Sequence, residues 1–172
     1  MSVHELTSGD AHWARAFLET VAGSARMVSR GRLHQCDRLP GFYAEEAGVR
    51  TALLTYRLDA GEMEVVALYA AERGRGYGTT LLAAAAARAR EHGCRRLWLV
   101  TTNDNAPALR FYERRGMRRV AVHSGAVDQA RRDLKPEIPR LGMGGVPIRD
   151  EIELEIDLRS DGRQAQSQEA AE

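Results

Sequence analysis

Between Glu72 and Thr80 the chain reads E-R-G-R-G-Y-G-T-T, with glycines at 74, 76 and 78 and arginines at 73 and 75. Such a run can bare its backbone N–H groups, because no Cβ stands over the glycines. An apolar run, Val65 to Ala70, precedes it, and an alanine-rich helical pattern starts near Thr79. A helix begins with unpaired amides and the positive end of its dipole. Strand, loop and helix start therefore converge on an anion site suited to phosphate or pyrophosphate. A P-loop would need a lysine after the last glycine, and none follows Gly78. A dinucleotide fingerprint would need G-x-G-x-x-G with an acidic residue about 20 positions on, which is also missing. The remaining alternative is a glycine-rich turn that only caps a helix.

The whole chain narrows the choices. Its 172 residues suit one domain with room for a core, and 44% hydrophobic with 28% charged content is ordinary for a globular protein. A net charge of +1 argues against a chain built to hold nucleic acid or an anionic membrane. The charge is unevenly spread: eleven arginines against three acids from Arg73 to Arg119, then eight acids against two arginines from Asp150 to Glu172. A basic middle suits a polyanionic ligand, although most such charge lies on solvated faces. No apolar stretch reaches the about 18 residues of a membrane span, and the N-terminus lacks a signal-peptide plan. Cys36 and Cys94 stand far apart, and no two histidines share metal-ligand spacing. The expectation is a reduced, cytoplasmic, metal-free protein.

Elements that would position the loop can be read on either side. Trp13, Phe17, Leu18 and Val21 fall on one face of a helix over 9–22, with Asp10 as N-cap and Gly23 as stop. Residues 26–34 read as a weaker strand, and Pro40-Gly41 as a turn. Val49 to Leu58 is rich in β-formers, and Asp59-Ala60-Gly61 is a hairpin turn into Glu62 to Tyr69. After the loop, Thr79 to His92 reads as a helix with five consecutive alanines, a thin face that can lie close on a sheet. Arg96 to Thr102 reads as a buried strand. Asn105 then caps a short helix carrying Ala108, Leu109, Phe111 and Tyr112, closed by Gly116. A strand at 119–123 follows. The stretch 124–149 reads as a long irregular segment with a helical turn or two at Ala126 to Leu134. Glu151 to Leu158 alternates strictly, as a half-exposed strand does. We read residues 1–159 as a single domain and 160–172 as a disordered polar tail.

Arg73-x-x-Gly76-x-Gly78 resembles the [QR]-x-x-G-x-[GA] signature of the GNAT superfamily, acyl-CoA-dependent N-acyltransferases whose loop holds the CoA pyrophosphate. Asn105-x-x-Ala108-x-x-Phe111-Tyr112-Glu113-x-x-Gly116-Met117 resembles the superfamily's second pattern, with Met117 in place of the usual Phe, a volume-conserving exchange. The segments bearing both motifs cover about residues 62–122, and the order of elements extends the match to nearly the whole domain. Further stretches, Arg30 to His34, Thr101 to Tyr112 and Val146 to Glu155, resemble a bacterial GNAT subgroup without a defined acceptor. The resemblance implies an α/β (α+β) fold: a central mixed, mostly antiparallel sheet of six or seven strands with a V-shaped split, flanked by four helices. Acetyl-CoA is the implied cosubstrate, lying between strands 62–69 and 96–102.

On that resemblance, main-chain groups of Val66 and Leu68 pair with the pantetheine. The segment Arg73, Gly74, Arg75, Gly76, Tyr77, Gly78 and Thr79 holds the pyrophosphate. Tyr112 resembles the tyrosine that protonates the departing thiolate, against a plain role as a core aromatic. Asn105 resembles a pantetheine contact and can equally be an N-cap. Glu62 and Glu64 share one strand face. Either matches the superfamily's occasional glutamate base, depending on a two-residue gap, and either can be a solvated side chain. His34, His123 and Asp150 are candidates for the acceptor pocket, or else structural cap and turn residues. The activity implied is N-acetylation of a small amine or a peptide amino group, with a homodimer possible. The alternative is a non-catalytic acyl-CoA-binding regulatory module.

Overall fold

Three tight turns establish the β structure. Arg30-Gly31, Ala47-Gly48 and Ala60-Gly61 all have positive φ at both positions, between 49° and 77°. Two such residues in succession make the turn whose twist matches that of paired strands. In the computed structural model, which describes residues 1–159, these turns join β2 (Arg26–Ser29) to β3 (Arg32–Gln35), β4 (Gly41–Glu46) to β5 (Val49–Asp59), and β5 to β6 (Glu62–Ala70). The strand expected over 26–34 is thus a hairpin forming a separate two-stranded sheet. The Arg30-Gly31 turn divides the predicted strand in two.

The main sheet has seven strands in the order β1-β4-β5-β6-β7-β9-β8, with β1 at Ser2–Glu5, β7 at Arg96–Thr102, β8 at Arg118–His123 and β9 at Glu151–Asp157. Only β6 and β7 run parallel. The mixed, mostly antiparallel sheet and its four helices agree with the expected architecture. The sequence of β1 carries no apolar alternation, and its backbone pairing with β4 recruits it.

One irregularity shapes the centre of the sheet. Thr55 pairs with Ala67 but Tyr56 pairs with Val65, so Val66 is an extra residue on β6. A bulge bends its strand and breaks the ladder on that side. Before the bulge Met63 and Val65 enter the larger core, after it Leu68 and Ala70 do, while Ala67 and Tyr69 turn to the opposite cluster. Pairing of β6 with β7 is confined to Glu62–Glu64 against Arg96–Trp98. Beyond it β6 stays with β5, and β7 stays with β9 through Thr102. The two strands part, and the expected V-shaped split lies between them.

Helices cover both faces. α2 (Tyr77–Glu91) buries Leu81, Leu82, Ala85, Ala86 and Ala89 against one face. α1 (Ala11–Ala22) buries Ala14 and Leu18 on the other, with Leu53, Ala67 and Cys36. Gly23 ends α1 at φ 78° as expected. Asp10 stands at the N-cap position, but its carboxylate accepts from Thr7 N–H (2.8 Å) and Oγ1 (2.7 Å) and pairs with Arg50. α3 (Ala106–Glu113) follows β7, and α4 (Ala126–Asp133) forms within the segment read as irregular. Arg131 holds the rest of that segment, donating to the carbonyls of Ile138 (2.9 Å), Pro139 (2.8 Å) and Ile148 (3.0 Å). No described helix is long and apolar enough to cross a membrane. The polar tail expected from Ser160 lies outside the described residues.

β9 corrects a reading. It is not half-exposed: Ile152 and Leu154 enter the core, while Glu151 and Glu153 on the other face are only 3% and 5% exposed. The strand lies between β7 and β8, and the β2–β3 turn reaches its acidic face through Arg30.

Close approach of β4 to β5 offers a test of the packing. A Cβ on Gly41 would stand 2.0 Å from Leu54 O and 2.9 Å from Thr55 Cα, both backbone atoms. Gly41→Ala is expected to lower unfolding free energy by about 2–4 kcal/mol in urea denaturation, the range typical of forced overpacking.

Candidate functional site

The glycine loop divides its labour. Gly74 and Gly76 have φ of 79° and 82°, and a Cβ on either would meet nothing within 4 Å. Backbone conformation, rather than crowding, asks for glycine there. Gly78 is different: a Cβ would lie 2.9 Å from Phe111 Cζ, so this glycine lets α2 pack against α3. Gly76 is the N-cap of α2, and the first intrahelical bond runs from Thr80 N–H to Gly76 O at 3.1 Å. The amides of Tyr77, Gly78 and Thr79 precede it and are left for a ligand. Two predicted contacts are structural through their side chains. Tyr77 is 4% exposed, and its hydroxyl donates to Glu46 Oε2 at 2.6 Å. Arg75 donates to the same oxygen at 2.9 Å, so both anchor the loop to the end of β4. Tyr77 first, then Arg75, holds the Glu46 carboxyl below its ordinary range. Arg73 is exposed and pairs with no described acid.

A cation missed in the sequence stands beside the helix start. Arg115 Nε donates to Thr79 Oγ1 at 2.7 Å, its Nη1 donates to Phe111 O at 2.8 Å, and its guanidinium lies 3.5 Å over the Phe111 ring. Burial, then Arg114, disfavours its charge, and no described carboxylate compensates it. An uncompensated cation next to free helix amides suits a phosphate.

At the split, the edge of β6 carrying Val66 and Leu68 has no partner strand past Glu64, so its backbone can take an extended ligand as an added strand. Tyr112 is partly buried on α3, and its hydroxyl bonds to no described residue. Burial, then the neighbouring Tyr69, pushes its phenol above the ordinary value and keeps it protonated. That influence of Tyr69 connects α3 with the part of β6 beyond the bulge. Asn105 is the N-cap of α3, its Oδ1 accepting from Ala108 N–H at 3.2 Å.

Across the sheet face opposite α2 runs a row of paired residues, Arg57–Glu64–Trp98–Glu155–Arg118. Glu64 is 4% exposed; its Oε2 lies 3.6 Å from Arg57 Nε and its Oε1 3.9 Å from His34 Nε2. Neither Glu64 Oε1 nor His34 Nε2 has a hydrogen-bond partner. Burial raises the Glu64 pKa, and Ser29 and Arg57 oppose it. Burial, then Arg57 and Arg32, takes His34 down to about 4. A carboxylate of raised proton affinity therefore stands beside a neutral imidazole. Glu62, on the same face as expected, is neutralised by Arg95 and by Arg96 Nε at 2.9 Å.

The predicted acceptor residues separate by role. His34 joins Glu64. His123 Nε2 lies 3.7 Å from Glu153 Oε2, and the strand register sets His123 opposite Glu151. Asp150 accepts from Gly125 N–H at 2.8 Å and so positions α4 as a turn residue. Beyond Arg115, sequence reading missed Glu151 and Glu153. Their alternation was visible, but not that the hairpin and α4 would cover that face.

The profile of the Acetyltransferase (GNAT) family matches residues 8–117, and the chain belongs to that family. Uncharacterized protein YdhI of Bacillus subtilis (strain 168) is 39% identical over 142 residues, 82% of this chain and 88% of that protein. A GNAT family acetyltransferase from Elizabethkingia anophelis, solved with acetyl-CoA bound, shares the fold with a TM-score of 0.71 at 19% identity, covering 91% of this chain and 97% of its own. The IAA acetyltransferase from Bacillus cereus ATCC 14579 also reaches 0.71, at 18% identity over 91% of this chain and 99% of its own. At these identities the two structures speak for the fold.

His34 makes stability depend on pH. Its folded pKa lies below the unfolded value of 6.5, so the unfolded chain binds more protons as pH falls between about 6.5 and about 4. Stability contributed at neutral pH is lost through that window at up to about 1.4 kcal/mol per pH unit. Urea unfolding of wild type and His34→Gln at pH steps is expected to show a difference that shrinks on acidification.

Proposed function

We propose that the chain is an N-acetyltransferase. It transfers an acetyl group from acetyl-CoA to a primary amine of a small molecule or peptide, by direct attack in a ternary complex. The observation that carries this reading is the split itself, where β6 and β7 part after Glu64; the raised proton affinity of Glu64 and the protonated phenol of Tyr112 support it. Acetyl-CoA supplies an activated thioester. Tyr77, Gly78 and Thr79 offer amides to its pyrophosphate, with Arg115 and the exposed Arg73 as cations nearby. The unpartnered edge of β6 at Val66 and Leu68 takes the pantetheine arm.

Roles follow from the state each group favours. An amine attacks only when neutral, so a base must hold its proton. Glu64 is the better base, since its Oε1 is unclaimed, whereas Glu62 is neutralised by two arginines. The carbon–nitrogen bond forms as the carbon–sulfur bond breaks, and the electron pair leaves on sulfur. Tyr112, kept protonated by its surroundings, donates the proton that the thiolate needs, and the second proton shed by the new amide nitrogen restores the phenol.

Calorimetric titration of acetyl-CoA is expected to give micromolar-range binding to the wild type and none to Gly76→Glu, which adds negative charge where the pyrophosphate would lie. Tyr112→Phe is expected to lower turnover by about 10²-fold or more with acetyl-CoA affinity retained, read by CoA thiol release over an amine panel. Unchanged turnover would remove its acid role, and binding without turnover in the wild type would favour a non-catalytic acyl-CoA-binding module. Glu64→Gln is expected to match Tyr112→Phe in size, whereas Glu62→Gln stays within a few-fold of wild type. Because the Glu64 pKa is raised, activity should fall on acidification with an inflection above 4.5, and that limb should vanish in Glu64→Gln.

A further inference from the structure

A cavity of about 380 Å³ opens between the β2–β3 turn, α4 and the first residue of β9. Arg30 and Gly31 form one wall, Gln129 and Asp133 a second, and Glu151 the floor. The walls are tied together, since Lys135 Nζ donates to Arg26 O at 2.6 Å. Glu151 is 3% exposed, yet its one hydrogen bond to a described residue comes from Arg30 N–H at 3.1 Å. The Arg30 guanidinium is directed to Glu153, 3.4 Å away, and leaves the Glu151 carboxylate to the cavity. Burial raises the proton affinity of Glu151; the Arg30 N–H, His123 and the Arg30 charge oppose it, and the charge of Glu64 adds to it. The two carboxylates are therefore electrostatic neighbours, and Glu64 contributes an oxygen that is buried and has no partner. Two buried carboxylates side by side, only partly offset by Arg30, His123 and Arg57, gain from a further cation. Asp133 adds a further, exposed carboxylate at the rim.

We infer that this cavity is a subsite for a second positive charge on the acceptor: an aliphatic amine carrying a further ammonium group, held by Glu151 and Asp133 while its reacting nitrogen faces Glu64. The inference rests on the acetyltransferase reading for the reacting end only; the cation subsite can be tested by binding alone. A single-charge amine brings Glu151 no cation beyond Arg30 and His123. A dication compensates both carboxylate regions at once.

Cadaverine and pentylamine share a chain length and differ by one ammonium group, so they isolate the second charge. Calorimetric titration of each into the full-length protein is expected to show cadaverine binding about tenfold tighter or more, with the preference shrinking at high salt. Glu151→Gln keeps an acceptor for Arg30 N–H, and Asp133→Asn lies at an exposed position; each is expected to bring cadaverine to the pentylamine level with the unfolding midpoint retained. In thiol-release assays the same variants should raise KM for cadaverine and leave kcat near wild type. Equal affinity for the two amines, no binding of either, or a preference that survives both variants would overturn the subsite. A binding preference without thiol release from acetyl-CoA would uphold the subsite and overturn the acetyltransferase reading. Thiol release at equal efficiency with both amines would do the reverse.

Discussion

The parting of β6 from β7 is the constraint on which the rest of the structure depends. One extra residue, Val66, interrupts the β5–β6 register, and three residues of parallel pairing remain before the strands separate. A backbone edge opened in the middle of a sheet has donors and acceptors that want partners. The glycine loop continues β6 from that opening, Glu64 is the last paired residue before it, and Tyr112 lies on the helix that follows β7. The bulge also exchanges which β6 side chains meet α2, so Glu64 and Tyr69 come to the same side of the sheet although they are five residues apart.

A second consequence concerns polarity. The face of the sheet opposite α2 is divided between an apolar part under α1 and a charged part under the hairpin and α4. In the charged part Glu62, Glu153 and Glu155 converge on Arg96, and Arg118 joins from the edge strand. These acids are compensated. Glu64 and Glu151 are not compensated to the same degree, and burial raises the proton affinity of both.

The anion end follows a different logic. Its helix amides and glycine torsions are local properties, while the side chains of Arg75 and Tyr77 serve to fasten the loop to Glu46 on a distant strand. Arg115 reaches the same helix start from the far end of α3, and the close contact of Gly78 with Phe111 is what brings the two helices near enough.

The sequence by itself determined what is local. Gly74, Gly76 and the alanine run announced a loop entering a helix, Asn105 announced a cap, the turn before Glu62 announced a hairpin, and the motif pair pointed to the family. Period-two spacing also set Glu62 and Glu64 on one face. Tertiary structure decided which of those two keeps an unpartnered oxygen, because Arg95 and Arg96 arrive at Glu62 from more than thirty residues away, while Arg57 reaches only one oxygen of Glu64. It decided that 26–34 folds back on itself and that Glu151 and Glu153 of β9 are buried rather than wet. It also placed Arg115 beside Thr79. Alternation along a strand states that two faces differ; what covers each face depends on chain segments distant in sequence, and burial sets the proton affinity and the partners of every charged group.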